Sequence, residues 1–336
     1  MFESTKILHF KKNMLDVYVE KSNKQTRPEV SSQVEWSVKN LEDILKNIPD
    51  ISQSKIKVIA NDDLVYTIST VLEKSIKNEQ EKLSSITRIS QEYIPEDLAS
   101  TTWEYNDALI ENNGIQEHIV EVRAYTHAFV KALTQSCINI KVAIDSIYAV
   151  SEIYSKLIIS HEPTLIFYPN DDNFASVVVS GVVLANISFD TQNSLQLISQ
   201  LIHHVSTHFN VGINKIIDLG SHEDLCTNLL KTNSQISVTK SRPEEYDLIS
   251  WIGIQKEDSK AIVKTLNFMI YNKLTEENKM SLKVVNNSEK ISLQKEIDEK
   301  EGNTHNLHNK LSIFIDILLL IFIIGILILL YQFILS

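Results

Sequence analysis

The chain has 336 residues, 43% apolar and 22% charged, the balance of a folded protein holding one large core or two ordinary ones. A formal charge of −11 with no cluster of Lys and Arg excludes a phosphate-neutralising surface, so no nucleic-acid partner is expected. Cys137 and Cys226 each lie among apolar neighbours and read as small buried hydrophobes of a reducing compartment, not as a disulfide framework.

In chain order, the start "MFESTKILHFKKN" lacks the apolar core of a signal peptide, and nothing in it directs that end across a membrane. "VKNLEDILKNIP" places Val38, Leu41, Leu45 and Ile48 on one helical face before Pro49 stops it. Strands are expected over 55–60 and 64–68. A further strand over 116–124 leads to a helix bearing Tyr125, Ala128, Phe129, Ala132 and Leu133, then to a strand over 138–144. That strand–helix–strand spacing predicts a βαβ unit and parallel pairing. Asp145 is then expected to cap a helix running to about Leu157. "TLIFYPNDDNFASVVVSGVVLANISF" (164–189) reads as consecutive strands joined by tight turns. A helix over about 191–209, a strand over 213–219 and a helix from near Ser221 follow. The class is α/β in two halves, each with its own mixed sheet, dividing near Ser160 to Pro163.

Residues 281–310 form a polar linker of mixed charge. From Leu311 to Leu335 the only charge is Asp316, placed at headgroup level, and Ile317, Leu320, Ile324, Leu327 and Leu330 sit in a run long enough to cross a bilayer as a helix, which needs ~20 residues. Lys300, His305, His308 and Lys310 precede the span, so the N-terminal module is expected in the cytoplasm, on a single-pass inner-membrane protein.

The order of several local words resembles the PilM/GspL family of actin-like ATPases, the cytoplasmic platform proteins of type IV pilus assembly and type II secretion. "YIPEDLASTTWEYN" (93–106) is similar to the family's small inserted subdomain, and "AIDS" (143–146) to the join that closes its first half. The resemblance covers roughly residues 5–270. It implies a two-lobed actin-like (ribonuclease H-like) fold: a first lobe over 1–160 with an α+β insertion at about 70–125, and a second lobe over 161–280. It also implies a partner groove near residues 90–125, where Tyr93, Ile94, Trp103 and Tyr105 are the candidates, receiving a PilN-like tail.

Three family loops are glycine-rich, because glycine lets backbone N–H groups close around phosphates. Here the first turn is Lys11-Lys12-Asn13, the second runs from Pro169 to Asn173, and the third, "DLGSHEDL" (218–225), keeps only Gly220. Lys11 and Lys12 read as turn residues, and Asp171 and Asp172 as Asx-type turn residues rather than metal ligands. His203, His204 and His208 include an i, i+4 pair but no third ligand. Neither cysteine has a His at a nucleophile spacing, and no Gly-x-Ser-x-Gly word occurs. Trp36, Trp103, Tyr105 and Trp251 read as packing residues, or as anchors for a peptide beside a sheet edge.

No catalytic, nucleotide-binding or metal residue is therefore assigned, and no cofactor. The expectation is a nonenzymatic, membrane-anchored scaffold recruiting inner-membrane pilus or secretion proteins, with homo-oligomerisation left open. The alternative is an active, filament-forming actin-like ATPase close to the division protein FtsA.

Overall fold

The computed structural model describes residues 4–19, 28–73, 76, 78–98, 101–112, 115–158, 160–169, 173–220, 222–232, 236–240, 247–254, 266, 267 and 270. Residues 1–274 form one compact unit. The expected linker (281–310) and apolar span (311–335, with Ile317, Leu320, Ile324, Leu327 and Leu330) lie outside the described residues.

Two five-stranded sheets share one topology. In the first, β1 (Ser4–Phe10), β2 (Met14–Val19) and β3 (Glu29–Glu35) form an antiparallel meander. Next, β4 (Ser54–Ala60) lies parallel to β1, and β8 (Ile144–Ala149) parallel to β4. The order is β3-β2-β1-β4-β8. In the second, β9 (Thr164–Pro169), β10 (Asn173–Val179) and β11 (Val182–Phe189) form the meander, and β12 (Lys215–Asp218) and β13 (Ser237–Lys240) add parallel strands. Its order, β11-β10-β9-β12-β13, repeats the first. The same three-antiparallel, two-parallel sheet occurring twice in one compact unit is the expected actin-like architecture.

Local chemistry explains the elements. β9 is central and covered on both faces, so Thr164 to Tyr168 are all fully buried and read as an unbroken run. Alternation still sorts them, with Leu165 and Phe167 entering the core under the second lobe's outer helices and Ile166 and Tyr168 the core between the lobes. The β10–β11 turn is the two-residue type with positive φ at both positions, Ser180 (49°) and Gly181 (82°), which matches strand twist. The first lobe's core centres on Phe10, Trp36 and Phe129, packed edge to face at centroid distances of 4.9, 5.1 and 6.1 Å.

Between β4 and β8 lies an inserted α+β subdomain: β5 (Val65–Val71), α2 (Glu79–Tyr93), β6 (Trp103–Asn112) and β7 (Ile115–Tyr125), with sheet order β5-β7-β6. This insertion corrects the βαβ reading. β7 precedes α3 (His127–Ile140), but β8, which follows it, pairs with β4 and not with β7. Residues 138–140 are the end of α3, closed by Lys141 at φ 60°, and the strand begins only at Ile144. Ile138, Ile140 and Val142 are all buried, so their alternation satisfied both templates. Asp145 is inside β8 and paired with Lys55 at 3.2 Å, so it does not cap α4 (Val150–Leu157). Val38 precedes α1 (Leu41–Asn47) and is 47% exposed; the buried face is Leu41, Ile44 and Leu45.

In the second lobe α5 (Ser194–Phe209) and α6 (Glu223–Thr232) cover one face of the sheet, while α4 and α7 (Leu248–Ile254) join the core between the lobes. The chain then returns to the first lobe: Leu266 and Ile270 enter its core, and the Asn267 amide accepts the Ile144 N–H at 2.9 Å and donates to the Ile144 carbonyl at 2.7 Å.

Candidate functional site

Open α/β sheets hold ligands at the carboxyl ends of their strands, and here the residues that follow β4 and β8 meet the end of β9. A polar network fills the junction. After β4, Asn61 donates its N–H to the Phe10 carbonyl (2.8 Å) and its side chain takes the Asp62 N–H (2.8 Å), which fixes a single 3₁₀ turn over Asp62–Leu64. The Asp62 carboxylate then accepts the Ser151 N–H at 3.2 and 3.3 Å, the Ser151 hydroxyl, and the Tyr168 hydroxyl at 2.9 Å. Tyr168 also shares a hydrogen bond with Ser176 at 2.8 Å. Asp62 therefore caps α4 from another element and latches the first lobe to β9 and β10 of the second. Burial raises its pKa to about 6, against the opposing pull of the bonds from Ser151 and Tyr168. Around it Tyr154 packs on Tyr168 at 4.7 Å, and Phe174 stacks on Tyr168 at 5.9 Å.

The glycine-free turns fit this picture where they are described. The Lys11-Lys12-Asn13 turn closes β1 to β2 by the Lys11 N–H to Met14 carbonyl bond of 2.9 Å. The Lys11 ammonium is committed to buried Asp16 at 2.8 Å, and its carbonyl accepts the Trp36 indole N–H at 2.7 Å. His9 faces Asp16 across the hairpin, where burial and the nearby Lys11 charge lower its pKa to about 4. The turn residues Asn170, Asp171 and Asp172 lie outside the described residues. In the third loop the Asp218 carboxylate accepts the N–H groups of Gly220 (3.0 Å) and His222 (2.7 Å) and pairs with His222 Nδ1 at 3.0 Å. A Cβ on Gly220 would stand 2.1 Å from His222 Cε1, so this glycine makes room for a side chain of its own loop.

A second buried network ties in the insertion. Arg123 of β7 lies 2.6 Å from Glu152 of α4, 3.4 Å from Glu121 and 3.7 Å from Glu104. Glu121 also accepts the Val183 N–H of β11 at 3.0 Å, and Glu152 pairs with Lys156 at 2.7 Å. Burial raises the pKa of Glu121 despite the adjacent guanidinium, and Arg123 is held charged by its carboxylates.

The four residues proposed for a partner groove do not share one surface. Ile94 is 2% exposed, and with half-buried Trp103 and Tyr105 it packs in the insertion's own core. The Tyr105 hydroxyl bonds Glu79, which pushes its pKa up to about 12, and the Lys82 ammonium sits 5.0 Å from the ring centroid. Tyr93 is 66% exposed and borders a groove of about 440 Å³ between the insertion and the second lobe. His204 and His208 border the same groove, their rings stacked at 5.5 Å, and among the described residues no three His, Cys, Asp or Glu side chains cluster as metal ligands. Trp36 and Trp251 pack, Trp251 edge-on to Tyr148 at 5.2 Å. The sequence reading missed Asp62, Tyr168, Arg123 and Glu152; the only signal was a polar group set inside an apolar run, as in "KVIANDD", "LIFYP" and "VEVRAY".

No family model matches the chain, and no curated protein matches it. Among solved structures it is similar to a Bacteroides thetaiotaomicron protein with an actin-like ATPase fold and unknown function, at 12% identity and TM-score 0.47 over 74% of this chain and 96% of that one. It is similar to the cytoplasmic domain of EpsL, an inner-membrane component of the Vibrio cholerae type II secretion system, at 10% identity and TM-score 0.43, covering 80% and 95% of the two chains. It is also similar to the PilM-PilN type IV pilus biogenesis complex, at 10% identity and TM-score 0.48 over 76% of this chain and 100% of that one.

Proposed function

We propose that the chain is a nonenzymatic, membrane-anchored scaffold of a type IV pilus assembly or type II secretion-like machine. It recruits partner proteins, a PilN-like tail or its equivalent, at the cytoplasmic face of the inner membrane. The observation that carries this reading is the Asp62 latch. A carboxylate whose lone pairs are taken by Ser151 and Tyr168 occupies the crevice between the strand ends, where a nucleotide of an actin-like ATPase would need charged and backbone donors free. The commitment of Lys11 to Asp16 supports it, since that cation is already neutralised within its own hairpin. The uninterrupted apolar run from Ile317 to Leu330 supports the anchor.

A thermal melt of the full chain in detergent micelles, with and without Mg-ATP, tests the reading. No change in Tm is expected. Nucleotide binding at a hundredfold excess over Kd would stabilise the fold by ~2.7 kcal/mol, and a rise of that size would favour the ATPase alternative.

A further inference from the structure

The inserted sheet ends on β5 and the second-lobe sheet ends on β11, so among the described residues neither strand has a sheet neighbour on its outer side. The groove of about 440 Å³ is bordered by Thr67, Ile68, Ser69 and Thr70 of β5, and by Leu184, Ala185, Asn186 and Ile187 of β11. Side chains alternate across a strand, so a groove lying on a sheet face would meet only every second residue. Consecutive residues from both strands place the groove at two sheet edges, not on a sheet face.

Near Val183 the edge of β11 is held to β5 and to the neighbouring strands on one face of the inserted sheet. There the Ser69 hydroxyl donates to the Val183 carbonyl, Glu121 takes the Val183 N–H, and the Asn106 amide donates to the Gly181 carbonyl at 3.3 Å. Beyond Val183 the two edges bound the groove, walled by Tyr93 of α2 and by His204 and His208 of α5. Among the described residues no Asp, Glu, Lys or Arg borders it, in a chain whose net charge is −11. A charged side chain entering would lose hydration and meet no counter-charge.

We propose that this groove accepts an extended, uncharged segment of a partner protein, added as a strand to the free edge of β11 with Tyr93 packed along it. Backbone pairing would supply affinity, and the apolar walls would select alternate side chains. The β3 edge of a second copy is a poor fit, because that strand carries Glu29 and Glu35 at its two ends. The inference rests on the reading that the module binds proteins, and not on which machine it serves.

The test pans a phage-displayed library of random twelve-residue peptides against the full chain in detergent micelles, followed by hydrogen exchange with the enriched peptides bound. Uncharged peptides with apolar residues at alternate positions are expected, slowing amide exchange at 184–187 by tenfold or more. Tyr93→Ala, at an exposed position, should weaken binding about tenfold, and Asn186→Pro, which removes an edge N–H, should abolish the protection. No enrichment, enrichment of charged or helical peptides, equal binding to both variants, or protection arising from self-association would each overturn the proposal. Response of the melt to Mg-ATP reports on the scaffold reading separately and leaves these readouts unchanged.

Discussion

Asp62 and His9 are buried ionisable groups that pull stability in opposite directions with pH. The folded pKa of Asp62 is raised to about 6, so its contribution is fully present below the unfolded value near 3.8 and is lost as pH rises through about 6. His9 is depressed from 6.5 to about 4, so its contribution is present above 6.5 and is lost as pH falls through about 4. Each amounts to ~3 kcal/mol at 1.36 kcal/mol per unit, and the two nearly cancel between pH 4 and 6. Asp62→Asn keeps an oxygen for Ser151 and Tyr168 but removes one side of this balance. Urea unfolding of that variant should show stability climbing with pH across 4 to 6.5 by ~3 kcal/mol more than in the native chain. A parallel pair of curves would refute the buried, titrating latch. Gly220 supplies a second residue-scale test. Gly220→Ala forces the His222 ring away from its Asp218 partner and should cost ~1–3 kcal/mol, whereas the same change in a His222→Ala background should cost far less, as a double-mutant cycle would measure.

Among the elements, β7 carries the heaviest electrostatic duty. Arg123 faces Glu104, Glu121 and Glu152, and all four side chains are less than 9% exposed. Arg123→Leu leaves those carboxylates buried without it and is expected to destabilise the chain by ~3–5 kcal/mol, read as a lowered urea midpoint. Glu104→Gln, at the longest of the three contacts, should cost much less; an equal cost would mean that packing and not charge decides. The legibility of elements follows the same physics. Strands 55–60 and 164–189 were readable because their apolar period matched a sheet buried on one or both faces. The start of β8 was not, since a helix end and a strand can both bury Ile138, Ile140 and Val142. The latch was illegible for a different reason: Asp62 and Tyr168 are 106 positions apart, and a tyrosine inside a fully buried strand looks like core until its hydroxyl partner is known.

For the molecule as a whole, two halves, each with its own mixed sheet, were legible from the order of elements, whereas the pairing of β8 with β4 across about 80 residues of intervening chain was not. Sequence order gives neighbours along the chain, and the insertion separates those from neighbours in the sheet. The groove bordered by Tyr93 shows the same gap between word and surface. The aromatic words of 93–106 lie in the insertion, where Ile94, Trp103 and Tyr105 pack in its own core and Tyr93 alone of the four borders the groove.

The return of Asn267 to Ile144 gives the chain a clasp, since the last described residues fasten the margin of the sheet that the first residues began. Shortening the protein to residue 260 would unhook it, baring the outer margin of β8 and the apolar seat of Leu266 and Ile270. Such a fragment is expected to sediment as aggregate where a fragment ended at 274 stays dispersed, so the seam for severing head from tail falls after the clasp, well downstream of the second sheet's last strand.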